Sequence, residues 1–211
     1  NVVQKHIEYA VSQKIPCVLV NSYSDKLPSV LSDNRKGAYL AGRYLIEHGH
    51  KTVALLAGVR SYLSNQERTA GFLQAFQEEG LSIPPELILE TGSWLYDAAE
   101  KVCFNFFNTY TGEMPTALFA FNDRLATGAI NAICKTGRTV PDDVSVIGYD
   151  NLGYYNIISP RITTVETHIE AISESTVMHM IWQLNNGSCL PVKVLTPVEV
   201  ISGETVRSLL C

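Results

Sequence analysis

The sequence predicts an α/β protein with parallel sheets flanked by helices. Three observations carry this. Apolar runs of only a few residues, at 53–57, 117–121 and 144–147, are bounded by polar or glycine punctuation, as buried parallel strands are. Amphipathic stretches of helical length alternate with them, the mark of layered α/β proteins. The run 117–121 passes straight into Asn122 and Asp123, residue types whose side-chain oxygens cap a helix start. The unit is therefore strand, helix, strand rather than a hairpin.

Taken in order, Ile7, Ala10 and Val11 share one face of a helix that Ile15-Pro16 breaks. Residues 17–20 form a short strand ending at Asn21, a polar loop follows, and Val30-Leu31 mark another strand. Asp33 and Asn34 cap a helix whose apolar face is Ala38, Ala41, Gly42 and Leu45, closed at Gly49 between His48 and His50. After the strand at 53–57, Gly58 opens a loop. Ser64 and Glu67 have the spacing of a capping box, ahead of a helix that turns Phe72, Ala75 and Phe76 inward. A strand at 87–89, a helix at 97–108 and a turn at 112–115 lead to the central unit. There Ala126, Ala129, Ile130 and Ile133 recur at helical spacing, Gly137 ends the helix, and the next strand stops at Gly148-Tyr149-Asp150. Beyond it come a turn region at 154–160, a strand at 162–165 and an amphipathic helix at 169–184 with Ile172, Thr176, His179 and Met180 near one face. Runs 192–195 and 198–201 read as a closing pair of strands around Pro197.

Bulk composition excludes several classes. The 211 residues, 46% hydrophobic and 18% charged, suffice for one large domain or two small ones. Net charge is −5 with no Lys/Arg cluster, so this stretch has no surface for gripping duplex DNA. The five cysteines are scattered, odd in number and form no CxxC, which points to free thiols in a reducing cytosol rather than disulfides or zinc. No apolar run approaches the roughly 20 residues of a membrane span. The histidines form no metal pattern and there is no HExxH. No GxGxxG or GxSxG is present, and no nucleophile and base stand out, so neither a cofactor nor catalysis is expected. The Asn186-Gly187-Ser188 sequon reads as chance.

Candidate ligand contacts sit at strand ends, where open α/β sheets bind ligands. Asp150 ends a buried strand and can accept from ligand hydroxyls, or serve as a turn residue. Arg68 is placed in the first turn of its helix. A cation there opposes the helix dipole without structural return, whereas a guanidinium can fork two hydroxyls or a carboxylate. Arg68 and Asp150 can also pair with each other in the absence of ligand. Asn122 offers a donor and an acceptor, or is a cap, while Asp123 is read mainly as a cap. Trp94, after Gly92-Ser93, can stack on a sugar face or pack in a core. Ser64 can contact a ligand or only cap its helix, and Asn21 can reach a ligand or only start a loop.

Several motifs in order, DN-x-x-GAYLAGRYLIEHGH, R-x-x-GF-x-x-A, FAFND-x-x-A-x-GAI, G-x-x-VP-x-DVSVIGYDN and SP-x-x-TTV, resemble the effector-binding core of LacI/GalR-family bacterial transcription regulators. The resemblance covers nearly the whole chain. It implies the two-layered, type I periplasmic-binding-protein-like fold, with residues 1–32 and 168–188 in an N-terminal subdomain and 33–167 and 189–211 in a C-terminal one. It implies that Arg68, with Gly71, and Asp150 of IGYD contact the effector, and that an aromatic at Trp94 stacks on it. It further implies a cytoplasmic homodimer in which a small effector, a sugar before a purine, closes a hinge. Operator DNA would be bound through a helix-turn-helix absent from this chain. The family's N-terminal subdomain normally begins with further strand-helix units, so that layer is expected to be incomplete, with an exposed strand edge and apolar face. A periplasmic sugar-binding receptor and a small α/β sugar-modifying enzyme are the alternatives.

Overall fold

The computed structural model describes residues 4–153, 159–187 and 189–210. Its elements run α1 (Gln4–Ser12), β1 (Leu19–Val20), β2 (Ser29–Ser32), α2 (Asn34–Glu47), β3 (Val53–Ala57), α3 (Leu63–Glu78), β4 (Ile88–Glu90), α4 (Tyr96–Thr109), β5 (Ala117–Ala120), α5 (Asp123–Lys135), β6 (Ser145–Asp150), β7 (Thr163–Glu166), α6 (Ile169–Asn186), β8 (Lys193–Thr196) and β9 (Glu199–Ile201). They form two compact units, Asn1–Asn34 with Thr167–Val198, and Arg35–Glu166 with Glu199–Cys211. The expected turn at 154–160 falls mostly outside the described residues.

The first unit holds a three-stranded sheet in the order β1-β2-β8, parallel throughout. Ile7, Leu19 and Leu27 make a small core with Cys17 against it. Gln183 of α6 is buried and bonds the main chain of Cys17 twice. Its Nε2 donates to the Cys17 carbonyl at 2.9 Å and its Oε1 accepts from the Cys17 amide at 3.3 Å. Both main-chain groups just ahead of β1 are thereby satisfied, as buried polar groups must be. The expected apolar surface is present: Val177, Met178, Ile181, Trp182 and Leu184 on α6 and Tyr9 and Val11 on α1 are exposed.

The last strands differ from expectation. β8 and β9 do not pair with each other. β8 runs parallel to β2, while β9 runs antiparallel to β7 in the second unit. The stretch before Glu199 thus packs with the first unit, and the expected boundary at 189 moves to 199. A pattern of two short runs around a proline cannot distinguish a hairpin from one strand donated to each of two sheets.

The second unit is a six-stranded sheet in the order β4-β3-β5-β6-β7-β9, parallel except for β9. β3 and β5 are buried along their whole length, which is why their sequences read as unbroken apolar runs. Phe72 of α3 stacks on Phe76 at 5.0 Å and on Phe119 of β5 at 4.9 Å. α2 and α3 approach closely where Gly71 faces the Arg35 carbonyl, a place a Cβ would occupy. Because β3 to β7 are parallel, their C-terminal ends share one edge of the sheet. Gly58, Thr91, Phe121 and Asp150 all stand on that edge.

The start of α3 also corrects the sequence reading. The helix begins at Leu63 and is capped by Tyr62, with no side-chain cap bond, so Ser64 and Glu67 form no capping box. Asn65, buried at 4% exposure, anchors this turn instead. Its Oδ1 accepts from the Gly58 amide at 2.9 Å, tying the helix to the loop after β3.

Candidate functional site

The sheet edge gathers Arg68, Asp150, Asn122 and Trp94, all within the second unit. Arg68 lies on the second turn of α3, not the first, because the helix starts at Leu63. It faces inward at 7% exposure. Its guanidinium is held from several sides. Nη1 donates to the Phe121 carbonyl, Nη2 donates to Asp150 Oδ1 at 3.2 Å, and Cζ lies over the buried Tyr149 ring, 3.6 Å from its centroid. The structural return that the sequence did not show is therefore substantial. Cation–π stacking in a desolvated setting contributes about 2 kcal/mol. The expected pairing of Arg68 with Asp150 is present in the absence of ligand.

Asp150 ends β6 with 28% of its side chain exposed. Burial raises its carboxyl above the usual range, Arg68 pulls it down, and Glu166 at the end of β7 pushes it up again. Its backbone is unusual, with φ of 100°, and Asn151 follows at 51°. Two successive non-glycine residues at positive φ cost on the order of 1–3 kcal/mol each and persist only where the surroundings hold them. One such hold is visible: Asn151 Nδ2 donates to Glu166 Oε2.

Asn122 is the N-cap of α5, its Oδ1 accepting from the Leu125 amide at 2.7 Å. Its acceptor is thus committed to the helix. Its amide donor has no partner among the described residues. Asp123 is not a cap. Its carboxylate is 1% exposed and turns toward the sheet, where Oδ1 accepts from Thr164 Oγ1 at 2.6 Å and Oδ2 from the Leu152 amide at 3.3 Å. Burial pushes this carboxyl up to about 7, with the Asp150 charge adding and the Thr164 bond subtracting.

Trp94 lies on the loop after β4. Its ring covers Gly58, where a Cβ would sit 2.6 Å from Cε3, and it meets Tyr62 at 6.0 Å between centroids. It is half-buried, so it both packs and presents a face. Ser64 is half-buried with no side-chain partner among the described residues, and nothing links it to the Arg68–Asp150 pair. Asn21 belongs to the first unit. It follows β1 at φ 51°, is exposed, and its amide donates to the Val30 carbonyl at 3.0 Å.

Asn65 and Tyr149 were not anticipated. Asn65 had a signal, since it lies three residues before Arg68 and seven before Phe72 on one helix face. A polar residue on that apolar face had to have a buried partner. Tyr149 had none, because an aromatic at a strand end reads simply as core. His50 is also structural. It is fully buried, with Nδ1 at 3.0 Å from Thr116 Oγ1 and Nε2 at 3.0 Å from the Arg207 carbonyl, and burial lowers its pKa. Among the described residues no cluster of His, Cys, Asp or Glu could hold a metal ion, and no helix is long and apolar enough to cross a membrane.

The geometry pairs a buried guanidinium with a carboxylate at the sheet edge, and an amide donor and an indole follow the ends of other strands on that edge. It can bind a small polar molecule. No nucleophile or proton relay accompanies it among the described residues.

Comparison with known proteins adds to this. The periplasmic binding protein-like domain matches residues 43–206. The "Probable HTH-type transcriptional repressor ExuR" of Bacillus subtilis is 31% identical over 210 residues, which is 95% of this chain and 60% of that protein. The "HTH-type transcriptional repressor PurR" of Vibrio parahaemolyticus is 41% identical over 142 residues, covering 67% of this chain and 42% of that one. The chain therefore spans only part of the length of these relatives. In fold, the crystal structure of a LacI family transcriptional regulator from Enterococcus faecium with bound ribose superposes with a TM-score of 0.87. It is 23% identical, and the match covers 99% of this chain and 77% of that one.

Proposed function

We propose, from a chain that belongs to the periplasmic-binding-protein-like domain family and has LacI-type repressors as its relatives, that this is the effector-binding core of a transcriptional repressor. The observation that carries the proposal is the Arg68–Asp150 pair, buried on one side and open on the other, at the C-terminal edge of a parallel sheet. The motif residues that the family resemblance marks for effector contact are the residues that meet there.

The effector is a small sugar. Asp150 accepts from its hydroxyls, Arg68 donates to them, the Asn122 amide adds a donor, and Trp94 covers an apolar sugar face. The Enterococcus regulator with ribose supports this class. Ser64, on the first turn of α3, is a secondary contact. The protein performs no chemistry in this reading. It acts in the cytoplasm as a homodimer, and effector occupancy shifts a population that differs in affinity for operator DNA. The DNA contact lies in a helix-turn-helix outside this chain.

Thermal stability measured against ribose, other pentoses and hexoses, their phosphates and purines tests the reading. A ligand at about a hundred times its Kd adds roughly 2.7 kcal/mol. One sugar should stabilise the protein, and Asp150→Ala and Trp94→Ala should each abolish the shift while the apo proteins still melt cooperatively. Full stabilisation of both variants would overturn the site.

A further inference from the structure

We propose that Asp123 is the positioning residue for Asp150: its buried carboxylate holds the left-handed turn that aims Asp150 at Arg68, and its protonation loosens that turn. This rests on the reading of Asp150 as an effector contact, but its geometry stands independently.

The turn at Asp150 and Asn151 has positive φ at two successive non-glycine residues, at 100° and 51°. Such backbone needs support from outside itself. Asp123 supplies it. Its Oδ2 accepts from the Leu152 amide at 3.3 Å, directly after the turn, and the Asn151 amide also bonds this carboxylate. Its Oδ1 accepts from Thr164 Oγ1 at 2.6 Å on β7 and packs against Gly148 on β6, where a Cβ would collide with it. The carboxylate is thus wedged between β6 and β7 beneath the turn, at 1% exposure. A carboxylate is needed because it alone accepts two amides and a hydroxyl at once. Protonation removes the charge that strengthens both amide bonds, and a proton on Oδ1 is accommodated only by reversing the bond to the Thr164 hydroxyl.

Among the described residues, β6 carries Asp150 and Tyr149, β7 carries Glu166, α3 carries Arg68 and the helix of Asp123 itself carries Arg124. Of these, the Asp150 charge acts on it most directly and disfavours a second negative charge. Burial acts in the same direction, so this carboxyl takes up its proton at about 7, within the range a cell can reach. The placement of Asp150 against Arg68 thus depends on a neighbour that titrates.

The test needs no ligand, so its failure is separable from failure of the effector reading. In intact protein carrying carbon-13 at aspartate carboxyls and nitrogen-15 at amides, the resonances of Asp123, Asp150 and Leu152 are followed by NMR from acid to mildly alkaline pH. All three should move with one shared midpoint near 7. In Asp123→Asn that step should vanish from Asp150 and Leu152. In Thr164→Val, which removes a bond favouring the ionised form, the shared midpoint should rise. The second variant keeps the test decisive should the first fail to fold. The proposal is overturned if Asp150 and Leu152 show no step near neutrality, if they keep it in Asp123→Asn, or if Thr164→Val leaves the midpoint in place.

Discussion

Replacing Asp123 by Asn should change how stability depends on pH, in a direction opposite to most acidic residues. The carboxyl stands at 3.8 in an unfolded chain and at about 7 in the folded one. The sign follows from proton counts. Between these values the unfolded chain has lost the proton and the folded chain has kept it, so stability falls as pH rises through the window. The deficit is absent below about pH 4 and complete above about pH 7. A gap of roughly three pKa units at 1.36 kcal/mol each gives about 4 kcal/mol. Asn carries no such titration, so the stability of the variant minus that of the parent should grow with pH by up to about 4 kcal/mol. A constant offset for the lost acceptor bonds lies on top of this, on the order of 1–3 kcal/mol against the variant. Urea unfolding at a series of pH values measures it, in a Trp182→Phe background so that Trp94 alone reports on the second unit. A stability difference that stays flat across the window would refute the assignment of a buried, late-titrating carboxyl.

Other expectations follow from particular contacts. Gly58→Ala would put a methyl within 2.6 Å of the Trp94 ring, so the indole must move; about 1–3 kcal/mol of stability should be lost and Trp94 emission should shift. An unchanged spectrum would disprove the packing. Phe72→Ala removes a ring stacked between Phe76 and Phe119 and should cost about 3–5 kcal/mol in urea unfolding. Gln183→Ala leaves both main-chain groups of Cys17 without their partner. Hydrogen exchange should quicken at the Cys17 amide while the second unit keeps its protection, and uniform quickening would count against a local role. A thiol reagent should label the exposed Cys134 and Cys189 in folded protein and spare Cys103, whose buried thiol is pushed up to about 12.

The sheet core was legible because buried parallel strands declare themselves as short apolar runs, and β3 and β5 carry nothing else. Helix existence was legible for the same reason of period, whereas helix starts were not. Ser64 and Glu67 have the right spacing for a capping box, but the first turn of α3 is fixed by Asn65 reaching the Gly58 amide, a contact invisible along the chain. Of the two capping types at the head of α5, one caps and one turns inward, and sequence alone ranks neither. The fate of β8 and β9 was out of reach because register and sheet membership depend on which edges lie near, not on the short runs themselves. Arg68 and Asp150 were singled out from a helix start and a strand end and then by motif resemblance. Their burial, and the Tyr149 ring behind the guanidinium, came only from the fold.

The pre-formed pair constrains what can bind. A ligand that reaches Asp150 and Arg68 competes with a contact that already exists at 3.2 Å. It gains only the difference between its own hydrogen bonds and those it displaces, as any exchange of partners in a desolvated setting does. Adjacent hydroxyls suit this exchange, because each can donate to the carboxylate while accepting from the guanidinium. An anion would satisfy Arg68 alone, and would meet Asp150 and Glu166 at close range in surroundings where screening is weak. A cation would satisfy Asp150 and meet Arg68. With Tyr149 and the Phe121 carbonyl holding the guanidinium from behind, Arg68 cannot swing away to relieve either conflict. Under the proposed reading, the arrangement should therefore favour an uncharged polyol over charged analogues of the same size, and the half-buried Trp94 face a ring over an open chain.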